Sequence, residues 1–272
     1  MKLRNLLIRL LSGAIFVAII LGSLYLSLQA FVGVMAVAAV VAMREFYGIA
    51  AKTGANPQRG MGLLCGVAVF MACSVGSLDM LGEAYRQFFL YLPIPLAVLV
   101  FFAELFRRQR APLANVACTL LGVVYVALPL SLAGVVYRAI GANAMCSFFI
   151  LLWANDTFAY LFGVAFGRHK LFPSISPKKS WEGYIGGILS VVAAAWALQR
   201  LLGGLELVDM VAFGVIISVT AVLADLVESM FKRSAGVKDS GAIMPGHGGL
   251  LDRLDAVLLS LPLVYAYVQL CM

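Results

Sequence analysis

Nine apolar stretches, each long enough or nearly so to cross about 30 Å of hydrocarbon at about 20 residues apiece, constrain this chain more than any other feature. They run roughly 7–27, 29–43, 60–78, 87–105, 112–135, 142–167, 183–202, 208–231 and 250–271. Peptide groups in hydrocarbon must be satisfied within a helix or around a closed barrel. A barrel is built from short segments of alternating polarity, and these runs are continuous. The expected fold is therefore an all-α polytopic integral membrane protein with about nine transmembrane helices. Composition agrees: 63% of residues are hydrophobic and 12% charged, where a soluble domain carries about a quarter charged. The second stretch is the shortest, and Gln29 blurs its boundary with the first. The first run exceeds the 7–15 apolar residues of a signal peptide, so it reads as a retained span.

Positive charge sets the expected orientation. With the N-terminus in the cytoplasm, seventeen of the twenty Lys and Arg residues fall on the cytoplasmic side, leaving only Arg86, Arg138 and Arg200 opposite. The net charge of +7 then faces anionic headgroups and nucleotide phosphates. No basic, aromatic-interleaved soluble domain exists to carry a nucleic acid. The five cysteines sit in or at the ends of apolar spans without metal-ligand spacing and read as small packing residues.

The two halves differ in kind. Nine of the thirteen acidic residues lie from Asp156 onward. Residues 1–141 read as scaffold and oligomerisation spans, and 142–272 as catalytic spans with their cytoplasmic loops, in a single membrane domain covering 1–272. The polar-poor first half does not echo the second, which argues against an inverted-repeat transporter.

Three constellations stand out in the second half. Asp156, Tyr160, Gly163 and Gly167 form one stripe on the sixth span, beside Asn155. The glycines allow close helix packing, while the aspartate calls for a metal, a basic group or a water-filled cavity. Next, Ser176-Pro-Lys178-Lys179-Ser180-Trp-Glu182-Gly183 places two lysines, two hydroxyls and free N–H groups before a helix, a combination suited to a polyphosphate. No P-loop sequence is present.

The third constellation is the densest. Between Ser229 and Asp255, twenty-seven residues hold seven charged side chains plus His247, although each charge costs roughly 2.5–3.5 kcal/mol at mid-bilayer. Asp225, Glu228, Ser229 and Lys232 share one helical face, and Asp252 and Asp255 share another. Gly246-His247-Gly248-Gly249 is flexible enough to bring backbone amides close to a ligand. Carboxylates from two helices with basic residues between them resemble a Mg²⁺ site that handles phosphates. Single salt bridges such as Glu228–Lys232 would explain a pair, but not this density.

The stretch from Ser229 to Asp255 resembles the C-terminal motif of the phosphatidate cytidylyltransferases (CDP-diacylglycerol synthases), S-x-x-K-R-x4-K-D-x-[GSA]-x2-[LIF]-[PG]-x-H-G-G-x-x-D-R-x-D. All its charged, glycine and histidine positions match; Met244 stands where Leu, Ile or Phe is usual, and Ser180 where the upstream loop more often has Thr. The resemblance implies transfer of CMP from CTP to phosphatidic acid, giving CDP-diacylglycerol and pyrophosphate. It also implies Mg²⁺, with room for a second, monovalent cation, and a homodimer in the cell inner membrane with its active site on the cytoplasmic side.

On that footing Asp225 and Asp252 are expected to hold the principal metal, with Asp255 and Asp156 as further ligands and Asp239 nearby. Lys178, Lys179, Lys232, Arg233, Lys238 and Arg253 would neutralise the CTP phosphates and the lipid headgroup. Ser176 and Ser229 would donate hydrogen bonds, and His247, Gly248 and Gly249 would contact phosphate. Two other functions compete: a CTP-dependent kinase of a polyprenol lipid, which would leave CDP, and a secondary cation transporter, which would show flux without CTP.

Overall fold

Every apolar stretch carries a helix, because a continuous run of Leu, Val, Ala and Phe can satisfy its peptide groups only along its own segment. The computed structural model describes residues 2–75, 83–246 and 248–272; the end of the 60–78 stretch and His247 lie outside the described residues. The first elements are α1 (Lys2–Leu26), α2 (Leu28–Lys52), α3 (Arg59–Val75), α4 (Glu83–Tyr91), α5 (Pro93–Arg107) and α6 (Pro112–Gly122). A π-helical stretch, Val123–Ala127, joins α6 to α7 (Leu128–Phe166). Two strands, β1 (Lys170–Phe172) and β2 (Ser176–Ser180), precede α8 (Trp181–Leu202), α9 (Leu207–Ser234) and α10 (Leu251–Cys271).

Seven helical runs among the described residues are long and apolar enough to cross a membrane, and Arg59–Ser74 is apolar but shorter. The stretches expected at 112–135 and 142–167 are two arms of one 55-residue run, Pro112–Phe166. Gly141 breaks it, at φ 80° and ψ 173°, a conformation open to glycine alone at low cost. The expected short second span is instead 25 residues long. Ser27 caps its start by accepting from Ala30 N, and at the far end the helix continues through Arg44 and Glu45, where the apolar run stops.

One departure from an all-helical chain is a small antiparallel hairpin. β1 and β2 pair Lys170 with Ser180 and Phe172 with Ser176, so the Ser-Pro-Lys-Lys-Ser segment is a strand and not an open loop.

The chain divides into two compact units. The first comprises residues 1–135 and 234–254. At its core lies Tyr47, fully buried, donating its hydroxyl to Thr119 O at 2.8 Å. Gly62 and Gly122 leave space for that ring: a Cβ at either position would collide with it.

The second unit comprises residues 136–233 and 255–272. Here α7 and α8 meet through glycines on both sides. A Cβ on Gly183 would stand 2.7 Å from Ala159 O and 3.1 Å from Gly163 Cα. α8 meets α9 where Gly214 faces Val191 and Ala195. α9 meets α10 through the Thr220–Ser260 hydroxyl pair at 2.5 Å and through Tyr267, whose hydroxyl donates to Asp209 at 2.8 Å.

Candidate functional site

In the second unit, three carboxylates converge. Asp225 and Glu228, one turn apart on α9, and Asp255 on α10 each offer an oxygen, and these oxygens lie within 4.8 Å of one another. Glu228 is buried, and the two aspartates are half-buried. Mutual repulsion at such spacing is large unless cations intervene, and two lysines do. Lys179 Nζ lies 2.5 Å from Asp225 Oδ2, and Lys232 Nζ lies 2.6 Å from Glu228 Oε2. Lys179 also donates to Val222 O at 3.0 Å, so strand β2 lays this lysine along α9. Asp156 and Lys232 both lie within electrostatic reach of Asp255.

The hairpin that delivers Lys179 is held at its base. Trp181 N donates to His169 O at 2.9 Å. The Glu182 carboxylate accepts the N–H groups of Arg168 at 3.1 Å and His169 at 3.2 Å, and its Oε1 lies 2.6 Å from His169 Nδ1. Ser180 Oγ caps α8 by accepting from Gly183 N at 3.2 Å. The first N–H groups of α8 are thus engaged by the chain's own groups, not held open for phosphate as the sequence suggested. Lys178 is exposed on the same strand, and Ser176 is half-buried at its start.

Of the stripe on α7, Gly163 faces Ser180 and Gly183, and Gly167 faces Ser180, so these glycines serve packing. Tyr160 is 69% exposed. Asn155 is fully buried and its side-chain amide has no hydrogen-bond partner among the described residues; its oxygen approaches Gly187. Ser229 is half-buried and Arg233 exposed near the end of α9.

In the first unit, the segment from Ser234 to Leu254 is clamped by two carboxylates. Asp252 Oδ2 accepts the N–H groups of Ser240 at 3.0 Å and Gly249 at 2.9 Å. Glu45, on α2 and 7% exposed, accepts from Leu250 N at 3.1 Å, Leu251 N at 2.8 Å and Ser240 Oγ at 3.1 Å. Glu45 therefore caps α10 from a position about two hundred residues away in the chain.

The glycines of the motif follow from this crowding. A Cβ on Gly249 would collide with Ser240 Oγ and Glu45, and one on Gly248 would stand 2.7 Å from Asp252 Oδ2. Met244 N closes the loop by donating to Gly248 O at 3.0 Å. Lys238, Asp239 and Arg253 are exposed.

The sequence-predicted residues fall into two groups. The structure brings Asp225, Asp255, Lys179 and Lys232 together within the second unit and places Asp156 within electrostatic reach of Asp255. Asp252, expected beside Asp225 as principal ligand, belongs to the first unit and uses an oxygen to hold the loop. Glu228 was expected on the same helical face as Asp225, among carboxylates converging from two helices, but was not named as a metal ligand; the structure makes it a member of the trio. Glu45 escaped the sequence reading, and nothing in the local sequence marks it.

The comparisons with known proteins add an independent finding. The model of the Cytidylyltransferase family matches residues 7–271. A protein named phosphatidate cytidylyltransferase from Staphylococcus epidermidis is 37% identical over 176 residues, covering 63% of this chain and 66% of its own length. One of the same name from Haemophilus influenzae is 45% identical over 119 residues, covering 42% of this chain and 41% of its own. Phosphatidate cytidylyltransferase 5, chloroplastic, from Arabidopsis thaliana is 45% identical over 143 residues, 52% of this chain and 36% of its own. The chain thus spans between about a third and two thirds of the length of these relatives.

Proposed function

Because this chain belongs to the cytidylyltransferase family, we propose that it transfers CMP from CTP to phosphatidic acid, releasing CDP-diacylglycerol and pyrophosphate. The observation that carries this reading is the trio Asp225, Glu228 and Asp255, with Lys179 and Lys232 already paired to two of its members. The names of the relatives supply the substrates. The polyprenol kinase and the transporter have no comparable support.

The trio fits Mg²⁺ by its chemistry, since it offers only hard carboxylate oxygens from two helices and leaves the remaining positions to phosphates and water. When bound there, the ion supplies charge neutralisation for the triphosphate; Asp156 would stand by as a further ligand. The chain's own residues do the rest. A phosphatidate oxygen, already anionic near neutral pH, attacks the α-phosphorus of CTP; the bond from that phosphorus to the bridging oxygen breaks, and pyrophosphate departs.

Lys179 and Lys232 neutralise Asp225 and Glu228 in the structure, and they turn to polyphosphate oxygens once those carboxylates are engaged. Lys178 and Arg233, exposed nearby in sequence, add charge toward the two polyanions. Ser176 and Ser229 orient by hydrogen bonding. In the first unit, Lys238, Arg253 and Asp239 are the exposed charges that the motif adds to the reaction. Holding two polyanions in register is worth more here than a strong general base, because the nucleophile needs none.

The chain is multi-pass, and we place it in the cell inner membrane with the lysine-rich ends of its helices in the cytoplasm, as a homodimer. The test is pyrophosphate release by purified protein in detergent–lipid micelles. Release that requires CTP, Mg²⁺ and phosphatidic acid together is expected. CTP-dependent formation of CDP with no pyrophosphate would overturn the reading in favour of a kinase.

A further inference from the structure

The half of the chain that reads as scaffold contains a groove that no role in the reaction accounts for. It is a shallow depression between α5 and α6 in the first unit, broadly open to its surroundings, with a volume of about 470 Å³. Its apolar walls include Phe101, Leu105, Leu113 and Val116. Phe101, Leu105 and Leu113 are 55%, 73% and 84% exposed, so the described residues of the chain itself leave them uncovered.

The polar end of the groove is built, not incidental. Glu104 lines it yet is 4% exposed. Its carboxylate accepts from Asn115 Nδ2 at 2.6 Å, Gln58 Nε2 at 2.8 Å and Arg107 at 2.7 Å. Asn115 Oδ1 in turn accepts Asn56 N at 2.6 Å, and Thr119 Oγ1 accepts Gln58 N at 2.8 Å. The Arg107 guanidinium compensates the charge of this carboxylate, and the three donors together lock the two helices against the 56–58 segment.

At the mouth stands Arg108, exposed, with φ 48°. It is the one non-glycine residue with positive φ among the described residues. Glycine is the usual occupant of such a helix-ending position, and a side chain there costs roughly 1–2 kcal/mol. The cost is accompanied by a guanidinium at the rim, about 10 Å along the helix from Phe101 at 1.5 Å per residue.

We propose that this groove is a binding site for one anionic phospholipid, its phosphate on Arg108 and an acyl chain on Leu105, Leu113 and Val116. Charge decides the class of occupant. The lining carboxylate is neutralised within the protein and the remaining rim charge is a cation, which favours an anionic headgroup over a zwitterionic one. The groove's volume is within the range of specific ligand pockets. This site is separate from the carboxylate trio and stands whether or not the proposed reaction does.

The test uses the purified chain, incubated with phosphatidylglycerol or phosphatidylcholine of matched acyl chains and examined intact by native mass spectrometry. One phosphatidylglycerol per chain should be retained in preference to phosphatidylcholine. Arg108→Gly suits the backbone conformation, so the fold persists, and it should lower that retention about fivefold, the equivalent of about 1 kcal/mol per arginine. Arg110→Gly, which removes an exposed neighbour outside the groove, should change it little. Leu113→Ser should weaken both lipids.

Equal retention of the two lipids by the unaltered chain would overturn the proposal. So would an Arg110→Gly effect as large as that of Arg108→Gly, which would mean a diffuse positive surface. An unaltered chain that retains no phosphatidylglycerol would equally overturn it.

Discussion

Replacing Glu45 with alanine removes one carboxylate that receives three hydrogen bonds, from Leu251 N, Leu250 N and Ser240 Oγ. A buried donor left without an acceptor costs about 1–3 kcal/mol. Leu251 is buried, and Leu250 and Ser240 are half-buried and can recover some water. About 2 kcal/mol for the first donor and about 1 for each of the others gives about 4 kcal/mol. Relief from keeping a charge buried offsets part of this, leaving about 3 kcal/mol against the clamped form of the loop. At about 1.4 kcal/mol per decade, the amides of Leu250 and Leu251 should exchange with deuterated solvent about a hundredfold faster in Glu45→Ala. Glu45→Gln keeps one acceptor oxygen and should lose about half as much in free energy. The amides of Ser240 and Gly249, held by Asp252, serve as the internal reference and should shift less. Unchanged exchange at Leu250 and Leu251 in Glu45→Ala would refute the assignment of Glu45 as the clamp.

Two further substitutions test the carboxylate trio. Lys232→Met strips the cation from Glu228, whose side chain is 1% exposed, and leaving a buried carboxylate uncompensated should cost about 3–5 kcal/mol; the unfolding temperature should fall and recover when Glu228→Gln is added, whereas an unshifted temperature would mean the pair carries no stability. Asp225→Asn should lower Mg²⁺-dependent pyrophosphate release at least a hundredfold, roughly the scale of losing one contact to developing charge, with near-normal unfolding; retained release would move the ion away from α9.

Among the described residues, hydropathy located the apolar helices but not every boundary, and the reason is visible at α2. The apolar run ends near residue 43, where Arg44 and Glu45 begin, yet the helix runs on to Lys52. Glu45 is tolerated there because the 240–251 segment supplies it with donors, a tertiary fact no local window contains. The break at Gly141 is similar. A glycine inside an apolar pattern signals low helix preference, and only its backbone angles show that it splits one 55-residue run into two arms. The hairpin at 170–180 was read as a basic loop because its pairing is too short to leave a clear alternating pattern.

At the site, residue types were legible and their partners were not. The pattern at Asp225, Glu228 and Lys232 followed from helical spacing alone, and the trio completed by Asp255 was expected in outline. What the sequence could not show was who occupies the helix starts. Free N–H groups before α8 and α10 looked like phosphate cradles, since helix N-termini attract anions. In the folded chain His169 O and Ser180 Oγ take up N–H groups at the first, and Glu45 takes up Leu251 N at the second, with Asp252 holding Gly249 N just before it. At each terminus the acceptor is the protein's own. In the proposed reaction, phosphate recognition would therefore fall to the lysine and arginine side chains, above all to Lys179 and Lys232. Each of these is held on a carboxylate that a divalent ion would compete for, so metal and nucleotide should bind cooperatively in this unit and not independently.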